Sequence, residues 1–164
     1  MCNFIPFELF ERKFRYYNDE RIETELYNVA GNWRAITISN DGNYKRICFT
    51  INKKNYRMKL HRVIYFVHHP EWNIYDSSQD NCIDHIEHKY GVPLDNSIGN
   101  LRVVTKQQNG FNRNDKGCYW NTRDKKWIAR IKVNGKNKHL GCFDNEEDAR
   151  AAYLAAKAIY HIII

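Results

Sequence analysis

The dipeptide Asn134-Gly135 constrains this chain more than any other feature. It separates two β-patterned runs, Trp127 to Val133 and Lys136 to Cys142. Asn-Gly is the commonest two-residue hairpin turn, because both turn positions need a positive φ. The first run alternates, with Trp127, Ala129, Ile131 and Val133 on one side and Ile128, Arg130 and Lys132 on the other. A shorter β run, Gly117 to Asn121, precedes it. After it, Asp144 is expected to start a helix, with Glu147 completing a capping box and acidic residues in the first turn. Ala149, Ala152, Tyr153, Ala156 and Ile159 or Tyr160 then recur at helical spacing. The expected product is a three-stranded antiparallel sheet covered on one face by one helix.

Charge is concentrated in the same region. The chain has 164 residues and a net charge of +7. Residues 113–142 alone hold nine Lys/Arg against two Asp/Glu. Such a stretch is the footprint of a polyanion partner, or else a solvated basic face. If the helix covers the Trp127/Ala129/Ile131 side, the open side presents Tyr119, Asn121, Arg130, Lys132, Asn137 and His139. A narrow sheet carrying these groups can enter a major groove, where Arg reads guanine and Asn reads adenine.

The runs Lys126-Trp127-Ile128-Ala129-Arg130-Ile131, Asn134-Gly135-Lys136, Leu140-Gly141-Cys142-Phe143-Asp144 and Glu147-Asp148-Ala149-Arg150-Ala151-Ala152-Tyr153 closely resemble the AP2/ERF DNA-binding domain. That resemblance implies a sheet lying in the major groove of double-stranded DNA. The candidate DNA-binding residues are Lys116, Tyr119, Asn121, Arg123, Arg130, Lys132, Asn137 and His139. Where plant members place base-reading Arg, Glu and Trp, this chain carries Tyr119, Arg130, Asn137 and His139, so no target sequence carries over.

Upstream the pattern is mixed. Phe4 to Tyr17 has roughly helical spacing and is expected as a helix. Trp33 to Ile38 reads as a strand before the turn signal Asn40-Asp41-Gly42-Asn43. Tyr44 to Ile51 and Tyr56 to Leu60 read as a hairpin joined by Asn52-Lys53-Lys54-Asn55. Its Lys45, Arg46, Lys53, Lys54, Arg57 and Lys59 make it a possible second DNA contact or a coat for the core. Val63 to Val67 begins a helix that ends before Pro70. Residues 70–100 are rich in Asp, Asn, Ser, Gly and Pro and read as loop, a length unusual without a function. Leu101 to Thr105 then reads as a strand and Lys106 to Asn112 as a short helix.

That loop contains Asp84-His85. A neutral His can take a proton from water, and a carboxylate with an amide oxygen suits a hard cation such as Mg2+. An adjacent pair on a strand would point to opposite sides. Alone, an Asp-His dipeptide in a loop is most often a turn. Around it, however, stand Leu60-His61-Arg62-Val63, Ile83-Asp84-His85-Ile86, Asp95-Asn96-Ser97-Ile98-Gly99-Asn100-Leu101-Arg102-Val103-Val104-Thr105 and Gln108-Asn109. Together these resemble the HNH endonucleases of the homing type, which often carry a C-terminal AP2 domain. The resemblance implies a ββα-metal motif over about residues 56–112. It gives Asp84 and Asn109 as metal ligands, His85 as general base, and Asn100 as the central Asn that braces the loop. It implies one Mg2+ or Mn2+ per centre.

Two features depart from that family. The loop after His85, through Glu87-His88-Lys89-Tyr90-Gly91, is longer than usual. The last motif position is Asn109 rather than His, as in the homing subgroup. His61 has a structural role or approaches the phosphate, while His68, His69 and His88 read as surface residues.

Cys2, Cys48, Cys82, Cys118 and Cys142 form no C-x2-C knuckle, so neither a disulfide framework nor structural zinc is expected. No apolar run approaches the roughly 20 residues of a membrane span, and Met1 to Phe10 lacks signal-peptide order. The expected setting is intracellular, in the cytoplasm or nucleoid of a host cell, with a phage or mobile element as a possible source. The sequence thus predicts an α+β chain. Residues 1–112 would hold an N-terminal extension and an HNH nuclease core of ββα-metal type, and residues 113–164 the AP2-like DNA-binding domain. The expected activity is metal-dependent hydrolysis of duplex DNA by a monomer or homodimer. The alternative is a non-catalytic, sequence-specific DNA-binding protein with a degenerate HNH motif. An RNA-directed module is disfavoured, because the A-form major groove does not admit a sheet.

Overall fold

In this computed structural model the described residues are 4–26, 30–87, 94–111 and 115–163. Expectations that fall on His88, Lys89, Tyr90, Gly91, Asn112 and Cys2 lie outside them. The described chain divides into two compact units, Met1–Val103 and Val104–Ile164.

The α+β expectation, with one ββα-metal core and one three-stranded sheet, is corrected here. Among the described residues the structure is mostly β, 44% strand against 21% helix, with four antiparallel sheets and three helices. The difference begins at the N-terminus. Phe4 to Tyr17, expected as a helix, forms strands β1 (Phe4–Leu9) and β2 (Arg12–Tyr17). Aromatics at positions 4, 7, 10 and 14 imitate helical spacing. The pairing shows period two instead: Ile5 lies opposite Tyr16 and Phe7 opposite Phe14, while Lys13, Arg15 and Tyr17 take the other side. The turn between them uses Phe10 and Glu11 at φ 52° and 62°. Left-handed backbone is uncommon without Gly or Asn, so no sequence signal marked it. The Phe10 ring packs 4.2 Å from Tyr56 and its amide donates to the Tyr75 hydroxyl at 3.0 Å, which holds the turn.

Strands β3 (Ile22–Glu25) and β4 (Trp33–Ala35) complete a sheet in the order β1-β2-β3-β4. A second sheet runs β5 (Ile38–Asp41), β6 (Tyr44–Ile51) and β7 (Lys54–Lys59). Its β6–β7 turn is only Asn52-Lys53, both at positive φ, so the hairpin is tighter than expected. Helix α1 (Leu60–His68) follows directly. Leu60, Val63, Ile64 and Val67 form its buried stripe, and it stops ahead of Pro70, whose ring disfavours helix in the preceding residue. This stripe meets Leu9, Phe14, Tyr16, Ile22, Ile47, Phe49, Ile74, Ile83 and Leu101 in one core. The loop after α1 is tied by Arg62, whose guanidinium donates to the carbonyls of Ile74, Asp76 and Asn81. Strands β8 (Cys82–His85) and β9 (Leu101–Val104) form a two-stranded sheet, preceded at β9 by a 3-10 turn over Ile98–Asn100.

In the second unit, α2 (Lys106–Asn109) carries a capping box between Thr105 and Gln108. Strands β10 (Cys118–Asn121), β11 (Lys126–Val133) and β12 (Lys136–Phe143) form a three-stranded sheet in sequence order. Helix α3 (Glu146–Tyr160) covers one side, with Ala149, Tyr153 and Ala156 buried against Ala129 and Ile131. Its cap is Asn145, whose Oδ1 accepts from the Asp148 amide at 2.8 Å, rather than Asp144. Asn134 and Gly135 adopt φ 49° and 79°, as their turn requires. One irregularity escaped the pattern: Ala129 faces Gly141 while Arg130 faces His139, so Leu140 is an extra residue, a β-bulge. Among the described residues no helix is long and apolar enough to cross a membrane.

Candidate active site and nucleic-acid interface

Asp84 and His85 stand at the end of β8, a strand where a loop was expected, and both are buried. Burying a carboxylate and an imidazole is costly unless their polar atoms are matched. The chain matches them with a network. His85 Nε2 lies 3.0 Å from Asn96 Oδ1, and Asn96 Nδ2 donates to Glu20 Oε1 at 2.9 Å. Glu20 is ion-paired with Lys45. On the other side Asp84 Oδ2 accepts from the Arg102 guanidinium at 3.1 Å.

Asn100, also buried, works on the backbone after His85. Its Oδ1 accepts from the Glu87 amide at 2.7 Å, its Nδ2 donates to the Asp95 carbonyl at 2.8 Å, and its carbonyl accepts from the Ile86 amide at 2.8 Å. These bonds fix the path of the chain as it leaves the Asp-His pair. Asp95 in turn caps its own turn, accepting from the Ser97 amide and hydroxyl, which holds its carboxyl below the usual range.

A second imidazole stands against the first. The His61 ring lies 5.0 Å from His85, edge to face, and 5.4 Å from Tyr44, over which Lys59 is placed at 4.2 Å. Burial, with the charges of His85, Lys59 and Arg62, lowers its pKa to about 3, so it stays neutral at physiological pH. His68 and His69 lie elsewhere on the helix end and are partly exposed, His69 beside Glu71.

The hard-ion donors named by the sequence are one carboxylate, Asp84, and one amide, Asn109. That donor type fits Mg2+, which keeps several waters and takes few protein ligands. Asn109 belongs to the C-terminal unit and Asp84 to the N-terminal one. Among the described residues no group of three or more His, Cys, Asp or Glu stands together as a ligand set. Any ion at Asp84 must share the carboxylate with Arg102.

In the C-terminal unit, the pairing puts Tyr119 opposite Ile128, Arg130 opposite His139 and Lys132 opposite Asn137, all on the side away from α3. Arg130 lies over the Tyr119 ring at 4.9 Å. A cleft of about 340 Å³ lies at the edge of the sheet, lined by Tyr119, Arg130, Lys132 and Asn137 and also, toward the helix, by Gly117, Ile131, Tyr153 and His161. Three other candidates are engaged locally. Asn121 spends its side chain on the turn, accepting from the Arg123 amide at 3.0 Å and donating to Asp124 at 2.7 Å. Lys116 pairs with Glu146 at 2.9 Å, which draws it toward the helix. Arg123 sits in the turn between β10 and β11.

Sequence reasoning assigned no role to Glu20, Tyr44 or Arg102 at this centre. Arg102 stood within a quoted motif. For Glu20 and Tyr44, distant in the chain, no local signal existed.

No family model matches the chain, and no curated protein and no solved structure matches it.

Proposed function

We propose that the chain is a metal-dependent endonuclease of duplex DNA, in which the open sheet face of the C-terminal unit holds the duplex and His85 activates the attacking water. The observation that carries this reading is the set of buried polar side chains Asp84, His85, Asn96 and Asn100. A fold gains little stability from burying four such groups where apolar ones would pack, and polar clusters of this kind concentrate at working sites. His85 is held in one orientation, as a general base must be. Asp84 would hold the divalent ion, which when bound would polarise the scissile phosphate and steady the leaving oxygen. Arg130 and Lys132 supply cations for the phosphate backbone, with Asn137, His139 and Tyr119 beside them for base edges.

The test is nicking of supercoiled plasmid by the purified chain with Mg2+, with Mn2+ and with chelator. Cutting should need the metal. His85→Ala should abolish it while DNA affinity changes little. The Arg130→Ala, Lys132→Ala double variant should bind more weakly, with its salt slope reduced by about 2. Undiminished cutting by His85→Ala would sink the proposal.

One observation favours the non-catalytic alternative. His85 is 1% exposed, and Arg102 already occupies an oxygen of Asp84. A DNA-binding protein that cuts under no metal condition would fit that arrangement, and the same plasmid assay separates the two.

A further inference from the structure

The network around His85 carries more information than its distances. A carboxylate such as Glu20, paired with the Lys45 ammonium, offers acceptors only. The Asn96 atom that faces Glu20 must therefore be its amide nitrogen. The atom facing His85 at 3.0 Å is then the amide oxygen, which also only accepts. His85 Nε2 has to be the donor. This deduction follows from charge and valence alone.

We infer that Glu20, acting through Asn96, sets the tautomer of His85: the ring proton sits on Nε2 and the basic lone pair on Nδ1. Glu20 and Asn96 are positioning residues for the reaction proposed above, and this catalytic half of the inference rests on that reading. Whatever Nδ1 meets, it meets as an acceptor, which is the state a base needs.

Glu20 is placed for this at a conformational cost. It follows β2, at φ 66°, in the left-handed region that a side chain rarely adopts. Its amide donates to the Tyr17 carbonyl at 3.0 Å, and the Tyr17 amide donates to the Arg21 carbonyl at 2.9 Å, which close the turn. Glycine would fit that backbone more easily but would lose the carboxylate. Asn96 is 4% exposed, and its two polar atoms are both spent, one on His85 and one on Glu20. The first sheet of the unit thus reaches the Asp-His pair through one buried amide.

The experiment is nitrogen-detected NMR of the His85 ring in the full chain at neutral pH. The wild type should show a pyrrole-like Nε2 and a pyridine-like Nδ1. Glu20→Gln keeps the shape but can donate as well as accept, so Asn96 can turn over. The spectrum should then shift to a mixture of tautomers, and Asn96→Leu should do the same. In plasmid nicking, Glu20→Gln should lower kcat roughly 10-fold with KM for DNA unchanged, as a partial loss of general-base catalysis would. A proton on Nδ1 in the wild type overturns the inference. So does an Nε2 proton that neither variant disturbs, since another group would then set it. An unchanged kcat in Glu20→Gln overturns the positioning role. A wild-type chain that cuts no DNA overturns the nuclease reading and the catalytic half with it, while the tautomer is still decided by the spectrum.

Discussion

Lowering the pH from 7 to 5 should weaken the N-terminal unit through His61. The ring is 4% exposed, between Tyr44 and His85, and burial is the largest cause of its depressed pKa of about 3. The unfolded chain has an ordinary histidine there, with a pKa of about 6.5. Between these values the unfolded state binds a proton that the folded state refuses. Stability is therefore complete above about pH 6.5 and falls as the pH drops toward 3. At pH 5 the gap spans about 1.5 units, and at 1.36 kcal/mol per unit the loss is about 2 kcal/mol. In urea this moves the midpoint by about 1 M for a slope of about 2 kcal/mol/M. The transition should be followed through the methyl resonances of Val63 and Ile64 on α1, so that the N-terminal unit is read by itself. His61→Gln has no ring to titrate, and the comparison cancels every other group that protonates in this window. The wild type should lose about 2 kcal/mol more than the variant between the two pH values. Equal losses in both proteins would refute the argument that burial keeps His61 neutral.

Two further outcomes follow from packing in the C-terminal unit. Gly117→Ala should destabilise it by about 3 kcal/mol or more, read from the Ile131 methyl in urea. Gly117 has φ +68°, and an added Cβ would fall 2.0 Å from the Tyr153 ring. Asn145→Ala should cost about 1 kcal/mol, and amide exchange at Asp148 should accelerate, because that amide donates to the Asn145 side chain.

How much of this was legible in the sequence differs between the two units. In the C-terminal unit the signals are local. Alternation in Trp127–Val133, the Asn134-Gly135 turn and the alanine stripe each act over a few residues, and the strands and helix form where they stand. The bulge at Leu140 was hidden, since one extra residue leaves composition and alternation almost unchanged, and the helix cap fell on Asn145, one residue past Asp144. In the N-terminal unit the aromatic residues fit two periods at once. The decision for strands was made by pairing across the turn and by packing on Ile47, Phe49 and α1. The site divides the same way. Asp84, His85, Asn96 and Asn100 lie within a short stretch, and their residue types suggest their chemistry. Glu20 lies 76 positions from Asn96 and becomes its neighbour only after the sheets form. No spacing rule in the sequence could connect them.

The bulge has a consequence for how this surface can change. From the Asn134-Gly135 turn to His139, β12 places Asn137 and His139 on the open side, opposite Lys132 and Arg130. Past Leu140 the phase is reset, and Phe143 comes to lie opposite Trp127 on the helix side. One strand therefore holds two stretches with different duties. Under the proposed reading, substitutions at Asn137 and His139 would alter what the surface recognises, while substitutions at Leu140 and Phe143 alter how firmly the helix is held. Side chains at the tip of the hairpin can change without loosening its base.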